Sequence, residues 1–81
     1  MKKTELRKAL RAAQRHQRDN LDRTISIENT SYADEEGTVH QQLLVWVLID
    51  AQQCKSRTLN TERFDTAVEF DNAIKDALRI L

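Results

Sequence analysis

The stretch QLLVWVLID, residues 42–50, decides the reading of this chain of 81 residues. Leu43, Leu44, Val45, Trp46, Val47, Leu48 and Ile49 follow one another without a polar interruption. A strand that meets a core on one face alternates apolar and polar side chains, because successive side chains point to opposite faces. Here both parities are apolar, so both faces of the strand ask for cover.

The flanking sequence supplies the partners of that strand. Residues 23–33, RTISIENTSYA, alternate, with Ile25 and Ile27 on one face and Thr24, Ser26 and Glu28 on the other. The sequence DEEG then supplies a turn, in which Gly37 is the natural residue for a positive φ. Residues 38–51 return as the second strand of an antiparallel hairpin. A third short strand over 54–60, CKSRTLN, is polar enough for an exposed edge.

Helices are predicted at both ends. Residues 2–20 contain good helix formers and no breaker. At 100° per residue, Leu6, Leu10, Ala13 and Gln17 fall on one side with Ala9 at its margin; Lys3, Arg7, Arg11, Arg15 and Arg18 gather roughly opposite, with Lys8 beside them. Residues 66–80 form the stronger amphipathic helix. Thr66 and Glu69 make a capping-box pattern, and Ala67, Phe70, Ile74, Ala77, Leu78 and Leu81 line one face. With no proline and a single glycine, nothing reads as a linker. The expectation is one domain over 1–81 with an α+β fold, a two-layer α-β-β-(β)-α sandwich built on a hairpin or a three-stranded sheet.

The far side of the central strand then becomes the functional question. The hairpin register is open: either Leu44, Trp46 and Leu48 join Ile25 and Ile27, or Leu43, Val45, Val47 and Ile49 do. In both cases at least three large apolar side chains face outward, each worth roughly 1.5–3 kcal/mol when buried. The amino-terminal helix is a poor lid, with only two leucines in its stripe. Another protein is the better cover, and a second copy of the chain the preferred one. Leu43, Val45, Trp46, Val47 and Ile49 are the candidate interface residues, with Trp46 the natural anchor if it faces outward.

Charge is balanced in total but not along the chain. Residues 1–23 hold eight basic side chains against three acidic ones, and residues 24–81 hold five against ten. The helical arc Lys3, Arg7, Lys8, Arg11, Arg15 and Arg18 forms a stripe about 16 Å long. Such a stripe suits a phosphate backbone or an acidic protein surface. With zero net charge and no aromatic on that face, nucleic acid ranks second to protein as partner.

Little points to catalysis. His16, His40 and Cys54 are the only soft ligand candidates, and they lack metal-site spacing; both histidines read as surface residues. The acids of ADEEG, residues 33–37, sit in a turn, where ordinary pKa values are expected. One glycine cannot build a phosphate loop. The expectation is a non-enzymatic protein with no metal, cofactor or small-molecule substrate. One cysteine suits a reducing cytoplasm, and the seven-residue apolar run is far short of the roughly 20 residues of a membrane helix.

The order α-β-β-β-α resembles that of double-stranded RNA-binding domains. GTVH (37–40) has that family's Gly-x-x-His spacing, and AIKDAL (73–78) resembles its last helix. Where the family carries phosphate-gripping lysines, this chain has the acidic DTAVEFDNA. The resemblance therefore implies a topology and not RNA binding.

Overall fold

The computed structural model describes residues 1–21, 24–50, 52–53 and 55–79. The expected element bounds at 23, 51, 54 and 80, and the side chains of Cys54 and Leu81, lie outside those residues. Helix α1 spans Lys3–Asp19, strands β1, β2 and β3 span Ile25–Ala33, Val39–Asp50 and Lys55–Asn60, a 3-10 turn follows at Thr61–Arg63, and helix α2 spans Ala67–Arg79. The strands form one antiparallel sheet in the order β1-β2-β3, an α+β fold.

The register settles which parity of β2 is inside. Ile25 lies opposite Val47, Ile27 opposite Val45, and Leu59 of β3 also opposite Val45. Ile25, Leu43, Val45, Val47 and Leu59 thus share one face and meet Ala9 and Ala13 of α1 with Ala67, Phe70, Ile74 and Ala77 of α2. Both helices cover that face, so the fold has two layers. The three alanines of α1 that are buried, Ala9, Ala12 and Ala13, let it lie close beside α2 and leave the bulk of the core to Phe70 and Ile74. Phe64 adds an edge-to-face contact to Phe70, with centroids 5.5 Å apart.

Local chemistry fixes the ends of these elements. At the start of α2 the Thr66 hydroxyl accepts from the Glu69 amide at 3.3 Å, and the Glu69 carboxylate reaches back to the Asp65 amide. The β2–β3 ladder is prolonged by Thr61, a fully buried residue whose Oγ1 accepts from the Leu43 amide at 2.9 Å. In the hairpin turn, Asp34 Oδ1 accepts from the Glu36 and Thr38 amides, and Gly37 adopts φ 82°. A Cβ added at Gly37 would meet nothing within 4 Å, so Gly37→Ala reports backbone strain alone. We expect it to lower unfolding free energy by about 1 kcal/mol in urea titrations, with an unchanged m-value.

The sheet is longer than its cover. Twelve residues of β2 span about 40 Å, close to the 42 Å long axis of the molecule, whereas the 17 residues of α1 span about 25 Å. The turn end of the hairpin consequently projects past the helices, and Val39 there is 68% exposed.

Candidate functional site

The second face of β2 carries Leu44, Trp46 and Leu48 in line, all partly buried and none in the core cluster. Their cross-strand neighbours are short or polar. Glu28 and Asn60 flank Leu44, Ser26 and Thr58 flank Trp46, and Ser56 lies beside Leu48. These neighbours cover much of the three side chains and leave a narrow apolar ridge along the strand.

Three of the five interface residues expected from sequence are therefore misplaced. Leu43, Val45 and Val47 are at most 1% exposed beneath the helices, because the register pairs Val45 and Val47 with the isoleucines of β1. Trp46 stands on the outer face, joined by Leu44 and Leu48. Ile49 is partly buried where the β2–β3 register slips between Leu48 and Asp50, as expected for the extra residue of a bulge.

Toward the turn the ridge ends in polar groups. Tyr32 stacks on His40 with centroids 5.2 Å apart and donates to Glu62 Oε1 at 2.5 Å. That hydrogen bond to a carboxylate raises the Tyr32 pKa above its ordinary value. Asn60 of β3 donates to Gln42 of β2 at 3.1 Å. His40 lies 2.8 Å from Asp34 Oδ2. Asp34 departs from the expectation of an ordinary turn carboxylate: the His40 bond and the Thr38 amide hold its pKa below the usual value.

His16 also departs from expectation. It is no free surface group but lies 2.6 Å from Asp71 Oδ1, joining α1 to α2, with Lys75 on the other carboxylate oxygen at 3.2 Å. Burial pushes the Asp71 pKa up, but the His16 and Lys75 hydrogen bonds outweigh it and hold the group below its ordinary value. A depressed carboxylate contributes stability that is present above its unfolded pKa and lost as pH falls through the folded one. Asp71→Asn should therefore be less stable than wild type at neutral pH and converge with it below pH ~4. Thermal melts of both proteins across that range check this.

All six residues of the basic arc, Lys3, Arg7, Lys8, Arg11, Arg15 and Arg18, are exposed. Lys8 pairs with Glu5 at 3.7 Å and Arg18 with Asp19 at 3.6 Å; Lys3, Arg7, Arg11 and Arg15 have no ion pair among the described residues. Contrary to the expectation from sequence, Lys3 and Arg7 do not stand opposite the leucines: at 100° per residue Lys3 falls only about 20° from Leu10, with Arg7 next to it. They line one groove with Leu6 and Leu10 of the same helix and Asn29, Gln41 and Leu43 of the hairpin. Among the described residues no three His, Cys, Asp or Glu side chains converge as metal ligands, and no helix is long and apolar enough to cross a membrane.

No known protein family, curated protein or solved structure matches this chain. The functional reading rests on the surfaces themselves.

Proposed function

We propose that the chain is a small, non-enzymatic protein-interaction module of accessory or regulatory kind. It self-associates through the outer sheet face, with Trp46 as anchor between Leu44 and Leu48. The observation that carries this reading is that three large apolar side chains stand in line on the face that neither helix covers. Tryptophan is enriched among residues that dominate interfaces, and a flat sheet face is suited to a two-fold contact in which one patch meets its own copy.

The size of the effect is modest. Full burial of such a side chain is worth roughly 1.5–3 kcal/mol, and because all three are already mostly covered, at most about a third of that remains to be gained here. Three side chains from each copy then recover at most roughly 3–6 kcal/mol, against an association cost of about 4–15 kcal/mol. A weak, reversible, concentration-dependent dimer follows, well short of the roughly −8 kcal/mol of a micromolar complex. Light scattering on a size-exclusion column should report a mass that rises from monomer toward dimer with loading. The single thiol fits a reducing, cytoplasmic setting.

A second reading is favoured by one specific observation, the exposed arginines Arg7, Arg11 and Arg15, which have no ion pair among the described residues. They would track a nucleic-acid backbone in a regulatory protein. Net charge of zero and the acidic rear of the chain weigh against it.

A further inference from the structure

The two edges of the sheet are unlike. The β3 edge carries Lys55 and Arg57 and sits beside a bulge, the usual protections against added strands. The β1 segment ISIENTSYA has no lysine, arginine, proline or bulge. Its backbone polarity follows from two bonds. Leu48 N donates to Thr24 O at 3.0 Å, so even-numbered residues of β1 turn their amides and carbonyls toward β2. Gln17 Nε2 donates to Ile25 O at 2.8 Å, so the odd-numbered residues turn theirs to the open side. Gln17 caps the first of these; Ile27, Asn29 and Ser31 present theirs to no partner among the described residues.

That open stretch runs beside a groove of about 220 Å³ between the first half of α1 and the projecting hairpin. Leu6, Leu10 and Leu43 form its apolar part, Lys3 and Arg7 its helix rim, Gln41 a polar part on β2, and Asn29 brings it to β1. On the helical projection Gln17, Leu10, Lys3 and Arg7 follow one another around one flank, and the Gln17 bond shows that this flank overlooks the β1 edge. A second hollow, sharing Lys3 and Leu6, extends the groove to Val39.

We propose that the β1 edge from Ile27 to Ser31 is a strand-addition site for an extended acidic–apolar peptide of a partner protein. Main-chain hydrogen bonds to β1 supply affinity, and alternate side chains entering the groove supply selectivity. Side chains two apart on a strand are about 7 Å apart, and Lys3 and Arg7, four apart on α1, are separated by about 6 Å along its axis. A leucine on Leu6 and Leu10 with acidic side chains two residues away therefore matches the spacing of the rim.

Charge decides against a second copy as occupant. On the helix side β1 offers Ile25, Ile27, Asn29, Ser31 and Ala33, with no acid among them, and β3 offers Arg57. Neither answers Lys3 and Arg7. The leucines in the groove and the lack of an aromatic among its lining residues disfavour a nucleic acid. The site is separate from the outer face, so either can fail without the other.

The test uses the full chain and a short fluorescent peptide in which threonine alternates with glutamate and leucine, beside a counterpart with lysine in place of glutamate. The acidic peptide should bind at low salt by anisotropy, and the lysine peptide should not. Binding should slow amide exchange at Ile27, Asn29 and Ser31. The double variant Lys3→Glu with Arg7→Glu, on exposed positions, should weaken the acidic peptide by about tenfold or more and admit the lysine peptide. Ser31→Pro removes an outward amide from an edge strand, where proline is tolerated, and should abolish binding of either peptide. Three results overturn the proposal: no acidic-peptide binding at low salt, binding indifferent to both variants, or displacement of the peptide by single-stranded or duplex nucleic acid. Concentration-dependent protection of the same amides in the free protein would assign the edge to a second copy and likewise overturn it.

Discussion

Val45→Lys abolishes the folded state, while Trp46→Lys preserves it and removes self-association. These neighbours in sequence have opposite fates because they lie on opposite faces of β2. Val45 is fully buried between Ile27 and Leu59, under the helices. An ammonium group there has no partner and is cut off from water, at a cost of several kcal/mol. The whole domain, at roughly 0.05–0.15 kcal/mol per residue, has only about 4–12 kcal/mol to lose. Circular dichroism of Val45→Lys should show an unfolded or unpacked chain. At position 46 a lysine stem lies along the outer face between Ser26 and Thr58 and carries its charge into solvent. Two such charges facing each other across a two-fold contact repel, and the contact loses its anchor. Light scattering should find Trp46→Lys monomeric at concentrations where the wild type is dimeric, with a melting temperature close to that of wild-type monomer. A wild type that stays monomeric at every concentration, or a Trp46→Lys protein that still dimerises, would remove the outer face from the function.

How much of this was legible beforehand follows from what sets each feature. The element order came from local patterns: the alternation around Ile25 and Ile27, the turn chemistry of Asp34 and Gly37, and the Thr66 cap all act within a few residues. Register was different. With apolar side chains at every position from Leu43 to Ile49, shifting the pairing by one residue leaves an apolar set on either face, so composition cannot choose. The choice is made by the pairing of Val47 with Ile25 together with the reach of Thr61 to Leu43, contacts between residues far apart in the chain. For that reason the sequence left open which set is inside, and the candidate interface residues Leu43, Val45 and Val47 lie in the core. The His16–Asp71 bond was hidden for the same reason, since its partners are 55 residues apart and neither belongs to a spaced motif. That Lys3 borders the leucines was legible on the helical projection, whereas the Asn29, Gln41 and Leu43 side of the groove comes from the sheet, which a projection of one element cannot show.

The arginine stripe separates the two classes of function, and it is expected to bind no nucleic acid. The variant Arg7→Gln, Arg11→Gln, Arg15→Gln, Arg18→Gln removes four exposed positive charges and retains helix propensity close to that of arginine, so the fold should survive. If the stripe held duplex DNA, each phosphate contact would contribute about 0.9 to the log–log salt slope, and four contacts would make affinity fall by about two orders of magnitude between 50 and 200 mM salt. The quadruple variant would flatten that dependence. The expected result is instead that the wild type shows no salt-steep retention on duplex or single-stranded DNA or RNA even at low salt. The quadruple variant should then differ only in its affinity for acidic peptides, through Arg7. The reasoning lies in the partition of charge. Arg18 is already answered by Asp19 and Lys8 by Glu5, and Lys3 and Arg7 line the groove with Leu6 and Leu10, which leaves Arg11 and Arg15 outside these arrangements, Arg15 at the rim of a hollow that Asp71 also lines. Two isolated contacts give a shallow salt slope and weak binding. Sub-micromolar, salt-steep binding to any nucleic acid by the wild type, lost in the quadruple variant, would reverse the ranking of the two readings.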